Sequence, residues 1–279
     1  MAYKTILTVC TDPDRQNEIL TQAVTLARAH EAHLDVLCIG MDRSQTGYHQ
    51  AGLDAVLIQQ ALSRASDEAE AMAETARKAL LNMDALWSVE SSIAQIADIG
   101  RKVAARARFC DLAILPKPYG EDAGFELETV VEGTLFEGQI PVLILPQAAS
   151  PAPMPQRVVL GWNESSEALR AVRAALPVLR QASMVHVAVI DPPRHGAGRS
   201  DPGGALSTFL ARHGIRAEID VLSKTLPRVS DMLQRHVEDL GADLVVMGAY
   251  GHSRFRESIL GGATRNMLEQ ARVPVLMAH

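Results

Sequence analysis

Two sets of five short apolar runs punctuate the chain. TILTVC, LDVLCIG, WSVESSI, DLAIL and PVLIL precede residue 146, and RVVLGW, MVHVAVI, AEIDVLS, DLVVMG and PVLMA follow residue 156. Their length, their Val and Ile content and the Gly, Pro and Asp residues around them predict β-strands. Most are continuously apolar rather than alternating, the pattern of strands covered on both faces, as in a parallel sheet. Between them lie segments of helical period. EALRAVRAALPVLR follows Ser166, and RVSDMLQRHVEDLG places Ser230 as an N-cap and Gly241 as a C-terminal stop. A longer insertion, residues 45–82, ends in SRASDEAEAMAETARKALL, an amphipathic helix whose charged side is expected to face solvent. Strand and helix alternate throughout, which predicts stacked βαβ units of the α/β class.

The same unit occurs twice. CDLAILPKPYG from Cys110 resembles ADLVVMGAYGH from Ala242, and each is followed downstream by a Pro-Val-Leu run, in QIPVLILP and RVPVLMAH. Between the copies, PQAASPAPMPQ (146–156) is too rich in proline to hold a helix or a central strand. The expected domains are therefore 1–148 and 155–279, each a Rossmann-like five-stranded parallel sheet with helices on both faces.

Composition narrows the function. Hydrophobic residues make up 47% of the chain and charged residues 22%, which suits a globular core and not disorder. Aromatics at 4% and a net charge of -6 argue against a nucleic-acid or anionic-membrane partner. No apolar run approaches the roughly 18 to 20 residues of a membrane span, so a soluble, cytoplasmic protein is expected. Cys10, Cys38 and Cys110 form no CxxC pair, and Cys10 and Cys38 are read as small core residues. His30 and His33 have no third ligand near them in sequence and are read as a surface pair, so no metal site is expected.

The stretch GAYGHSRFRESILGGATRNML, Gly248 to Leu268, follows the fourth strand of the second copy. In open α/β sheets ligands bind beyond the carboxyl ends of the strands, where the winding direction reverses. Glycines there let backbone N–H groups approach an anion, and a helix starting near Gly261 and Gly262 and running through Thr264 would supply donors and a favourable dipole. His252, Arg254, Arg256 and Arg265 offer positive charge around the loop. Spacing alone leaves a phosphate cradle and an ordinary turn both open. No GxxxxGK[ST], GxGxxG, HExxH or GxSxG occurs, and no nucleophile or general base recommends itself, so no catalytic residue is assigned.

On these residues the chain resembles a tandem member of the universal stress protein family, whose nucleotide-binding members carry Gly-x-x-Gly, nine residues, then Gly-Ser or Gly-Thr. Gly248, Gly251 and Gly261 match the glycines with that gap kept, while Gly262 stands where the family has a hydroxyl residue and Thr264 lies two positions on. Asn163 and Ser165 match the family's Asp-x-Ser after the first strand, and Val189, Ile190 and Asp191 match its adenine-lining second strand. The resemblance implies an adenine nucleotide alpha hydrolase-like fold. It also implies a site for ATP, or ADP or AMP, formed by Asn163, Ser165, Val189, Gly248, Gly251, His252, Arg254, Gly261, Gly262, Ala263 and Thr264. Asn163 lacks the family's negative charge, so a role for magnesium stays open. In the first copy PKPY replaces GAYG, and Glu126, Glu128 and Glu132 fall where phosphates would lie. One nucleotide site per chain is expected, in a stress-response binding protein with a degenerate N-terminal domain. A slow ATP hydrolase or nucleotidyl-transfer enzyme and a nucleotide-free assembly domain are the alternatives. The last strands, PVLIL and PVLMA, are expected to pair the two domains, with a homodimer beyond that left open.

Overall fold

The structure, a computed structural model, describes residues 2–43, 53–120, 124–146, 154–192, 201–249 and 262–279. They fall into two compact units, Ala2–Ile140 and Pro141–His279.

The N-terminal unit runs β1 (Thr5–Cys10), α1 (Gln16–Ala29), β2 (His33–Asp42), α2 (Leu53–Leu80), β3 (Leu86–Gln95), α3 (Ile96–Ala107), β4 (Leu112–Pro116) and α4 (Glu126–Glu132). A π-helical turn, Gly133–Glu137, extends α4. Its strands lie in the order β3-β2-β1-β4, all parallel, with Thr5 opposite His33 and Ile6 opposite Leu112. The strands' apolar continuity is explained by their cover: β1 is buried from Ile6 to Cys10 and β2 from Leu34 to Asp42. On α3 the buried face is Ile99, Gly100, Val103, Ala104 and Ala107, the spacing of one helical stripe. Gly100 meets the π-turn so closely that a Cβ on Gly133 would lie 2.5 Å from its Cα. Only glycine fits at position 133, whereas a Cβ on Gly100 would meet nothing closer than 3.6 Å.

The C-terminal unit contains β5 (Val142–Leu145), β6 (Arg157–Gly161), α5 (Ser166–Leu179), β7 (Met184–Ile190), α6 (Gly204–Arg212), β8 (Ala217–Leu222), α7 (Val229–Leu240), β9 (Leu244–Gly248), α8 (Ala263–Gln270) and β10 (Val275–Ala278). The order is β5-β10-β9-β6-β7-β8, parallel except for β5. The expected closing strand of the first copy instead groups with this unit and runs antiparallel to β10, with Val275 opposite Ile144 and Met277 opposite Val142. Without β5 the apolar strand Val275–Ala278 would present unpaired backbone at a sheet edge. The last strands of the two copies therefore pair with each other.

The repeat has a shared anchor that its sequence displays. Asp111, just before β4, accepts hydrogen bonds from the amides of Lys4 (2.7 Å) and Thr5 (3.0 Å) at the start of β1. Asp243, just before β9, does the same for Gln156 (2.8 Å) and Arg157 (3.0 Å) at the start of β6. Each carboxylate thus registers a first strand against a fourth.

Three expectations need correction or refinement. Ser230 is not the N-cap of α7: the helix starts at Val229 after Arg228, and Ser230 is buried inside the first turn with no partner for its Oγ among the described residues. Gly241 does terminate α7, in the left-handed conformation at φ 59°. His30 is not on the surface. It is buried edge-on against Tyr3, ring centroids 4.9 Å apart, and burial lowers its pKa; His33 is half-buried, 3.4 Å from Asp35. Cys10 and Cys38 are free, buried partners across β1 and β2 whose thiols hydrogen-bond each other, which raises the pKa of Cys10 and lowers that of Cys38. Cys110 is pushed up to about 12 by burial and by the nearby Asp35 carboxylate. Among the described residues no helix is long and apolar enough to cross a membrane, and no group of three or more His, Cys, Asp or Glu could hold a metal ion.

Candidate functional site

The C-terminal sheet reverses its winding between β6 and β9. From β6 the chain moves outward through β7 to β8, returns to β9 at the other side of β6, and continues to β10. Such a reversal opens a crevice beyond the strands' carboxyl ends. Gly161 of β6 lies opposite Met247 of β9, so the segments leaving these strands, 162–165 and 248–249, flank that crevice. Two helices present their N-termini there, α5 after β6 and α8 before β10, and both dipoles favour an anion.

Gly248 ends β9 against the first turn of α5. A Cβ there would lie 2.5 Å from the Ala168 amide nitrogen and 2.7 Å from the Glu167 carbonyl carbon, so the strand tip can seat on the helix only as glycine. The neighbouring edge is tied down by Ala249 N–H donating to Ala278 O at 2.9 Å and His279 Nδ1 donating to Ala249 O at 3.0 Å.

Asn163 and Ser165 stand where the sequence places them, and both are used locally. Asn163 Oδ1 accepts from the Ser165 amide at 3.2 Å, Ser165 Oγ caps α5 by accepting from the Ala168 amide at 3.1 Å, and Glu164 between them takes φ 61°. Asn163 is exposed, while Ser165 is half-buried. Val189 is 6% exposed near the end of β7, packed beside Gly203, and Asp191 turns the chain at φ 47° with its amide bonded to Leu222 O.

Gly262 is the N-cap of α8, extended at φ -66° and ψ 171°, and contributes no side-chain cap. Its carbonyl accepts from the Asn266 amide at 3.1 Å, Ala263 is exposed, and Thr264 is buried. Arg265 pairs with Glu269 along α8 at 2.9 Å. Gly251, His252, Arg254, Arg256 and Gly261 lie outside the described residues.

Sequence reasoning missed two residues at this edge, Glu167 and His279. The Glu167 carboxyl is held below its ordinary range first by its own backbone amide, then by the Ser166 and Ser165 hydroxyls and the nearby His279, with burial opposing. The available signal was its place in the first turn after the Ser165 cap, where an acidic side chain meets free helix amides.

The corresponding edge of the N-terminal unit is built differently. β4 ends in Pro116, Tyr119 donates to Glu128 at 2.8 Å, and Glu126 is only 7% exposed. What remains is a cavity of about 20 Å³ between the ends of β1 and β4 and the start of α4. That is room for a single water-sized body, far less than a nucleotide needs.

Residues 154–279 match the universal stress protein family. The C-terminal half of the chain belongs to that family. A segment of 73 residues is 33% identical to universal stress protein Slr1230 of Synechocystis, covering 26% of this chain and 24% of that one, so the match spans about a quarter of the relative's length. The fold likeness extends further. A universal stress protein from Archaeoglobus fulgidus matches 98% of this chain over 95% of its own, with TM-score 0.71 and 15% identity. A universal stress protein described as putative, from Pseudomonas aeruginosa, matches 99% over 93%, with TM-score 0.62 and 16% identity. At such identities the likeness shows the α/β fold over the whole chain and no more.

Proposed function

We propose that the C-terminal universal stress protein domain binds one adenine nucleotide, ATP, ADP or AMP, at its carboxyl edge, and that occupancy rather than turnover is its output in a stress response. The observation that carries this is the seat of Gly248 on the first turn of α5, beside β6 at the winding reversal. It brings the first glycine of the motif to the crevice where phosphate would meet the N-termini of α5 and α8. Val189 and the turn at Asp191 stand at the end of the adjacent strand, where the base would lie. Asn163 would reach the ligand through its amide nitrogen, because its Oδ1 is engaged by Ser165. Gly251, His252, Arg254 and Gly261 would close over the phosphates, with Gly262, Ala263 and Thr264 opening the helix beneath them.

The domains proposed for this function are 1–148, degenerate at its edge, and 155–279, competent. Small molecules released from purified, denatured protein are identified by mass spectrometry. Wild-type protein should release an adenine nucleotide, and the Gly251→Asp, Gly261→Asp double variant should release none. Absence of nucleotide from wild type, together with no shift in Tm on adding ATP, ADP or AMP, would overturn the proposal. Incubation with ATP, with magnesium or with EDTA, tests output: intact retained nucleotide is expected, and repeated turnover would replace binding by catalysis.

A further inference from the structure

A cavity of about 120 Å³ lies in the C-terminal unit between α7 and α8, at the amino ends of β9 and β10. Its floor is Val245 and Val275, buried register partners on the two strands. Val237 of α7 forms one wall, and Met267 of α8 with Ala271 just beyond that helix forms the other. The space stays open because the chain is small where the helices finish. Gly241 stops α7, Ala242 follows it, and Ala271 follows α8.

Two polar features give the cavity a chemical character. Gln234 of α7 lines it half-buried; its Nε2 donates to Met267 O at 3.5 Å, and among the described residues no donor is bonded to its Oε1. At the mouth, Arg272 and Glu238 pair at 2.8 Å and are 80% and 55% exposed, so the rim carries no net charge. Apolar walls give water no partners, and an engineered apolar cavity of about 150 Å³ in another protein takes up benzene. An ion is disfavoured, because nothing inside would replace its hydration and the two rim charges already satisfy each other. Met267, an unbranched and polarizable side chain, can conform to a guest.

We infer that this cavity is a binding site for a small uncharged ring compound, aromatic or alicyclic, of about six or seven non-hydrogen atoms and bearing one hydroxyl. The ring lies on Val245 and Val275 against Met267, and the hydroxyl donates to Gln234 Oε1. The site is at the opposite end of α8 from the proposed nucleotide crevice. Its test contains no nucleotide, so either proposal can fail alone.

The full chain, freed of nucleotide, is titrated with phenol, benzene and benzoate while binding heat and the methionine methyl NMR spectrum are followed, with Met267→Leu identifying the Met267 signal. Phenol should bind saturably and move that signal. Benzene should bind about five-fold more weakly for want of the hydroxyl, and benzoate should leave the signal in place. Gln234→Leu should bring phenol and benzene to equal affinity while both still bind. Ala271→Leu and Val237→Phe, which fill the space, should abolish binding of both. Phenol that leaves the wild-type Met267 signal unmoved, or benzoate that binds as well as phenol, would overturn the proposal, and both are read without any filling variant having to fold. A preference for phenol that survives Gln234→Leu, or binding that survives both filling substitutions, would overturn it as well.

Discussion

The two copies agree at the amino ends of their strands and differ at the carboxyl ends. Asp111 and Asp243 make the same pair of backbone hydrogen bonds from the same position before the fourth strand. At the other end of that strand, one copy has Pro116 and a cavity walled by Glu126, and the other has Gly248 seated on a helix N-terminus. One end registers the sheet and is kept in both copies. The other is where the proposed nucleotide site lies, and a few residues there differ between the copies without changing the fold.

Substitutions at the two strand tips should break this comparison most sharply. Gly248→Val forces a side chain into the α5 backbone and should cost about 2–3 kcal/mol in chemical unfolding, together with nucleotide binding. Pro116→Ala, at the matching position, should cost well under about 1 kcal/mol. Equal costs would mean that the close seat of Gly248 is not real. Next come the anchors: Asp111→Ala and Asp243→Ala each remove two charge-assisted bonds and should each cost about 1–2 kcal/mol, equally. A large inequality between them would show that the amino ends are not equivalent.

Smaller is the cap of α5. Ser165→Ala should cost about 1 kcal/mol, measured by denaturant midpoint, since it leaves the Ala168 amide unmet. Subtlest is a pH effect confined to the N-terminal unit. Burial lowers the pKa of His30 from 6.5, so the unfolded chain takes up its proton at higher pH than the folded one. Stability should be unaffected above that pH and should decline as pH falls below it, levelling off beneath the lowered folded value. Subtracting the profile of His30→Phe from that of wild type should isolate this decline. A flat difference would contradict the burial of the ring.

Much of the fold was legible because the strands are buried on both faces, so each announces itself as an apolar run. β1 coincides with TILTVC and β7 with MVHVAVI. The repeat was legible through Asp111 and Asp243, which precede equivalent strands. The pairing of β5 with β10 was expected from two apolar edge strands, but neither its antiparallel sense nor the grouping of β5 with the C-terminal unit was, because strand partners are a long-range property. Ser230 misled because a serine before a helical stripe suits both an N-cap and a buried first-turn residue, and only packing separates them. His30 misled because its burial depends on Tyr3, which is distant in sequence. Of the candidate site, Asn163, Ser165 and Gly248 could be placed from motif spacing. Their local hydrogen bonds, and the roles of Glu167 and His279, emerge only from the meeting of β6, β9, β10 and α5.

Nucleotide stoichiometry on the full chain, measured by equilibrium binding with ATP, bears most directly on the contrast between the two edges. One nucleotide per chain is predicted, abolished by Gly251→Asp with Gly261→Asp and untouched by Glu126→Gln. Two per chain, none, or one that survives the double glycine substitution would contradict it.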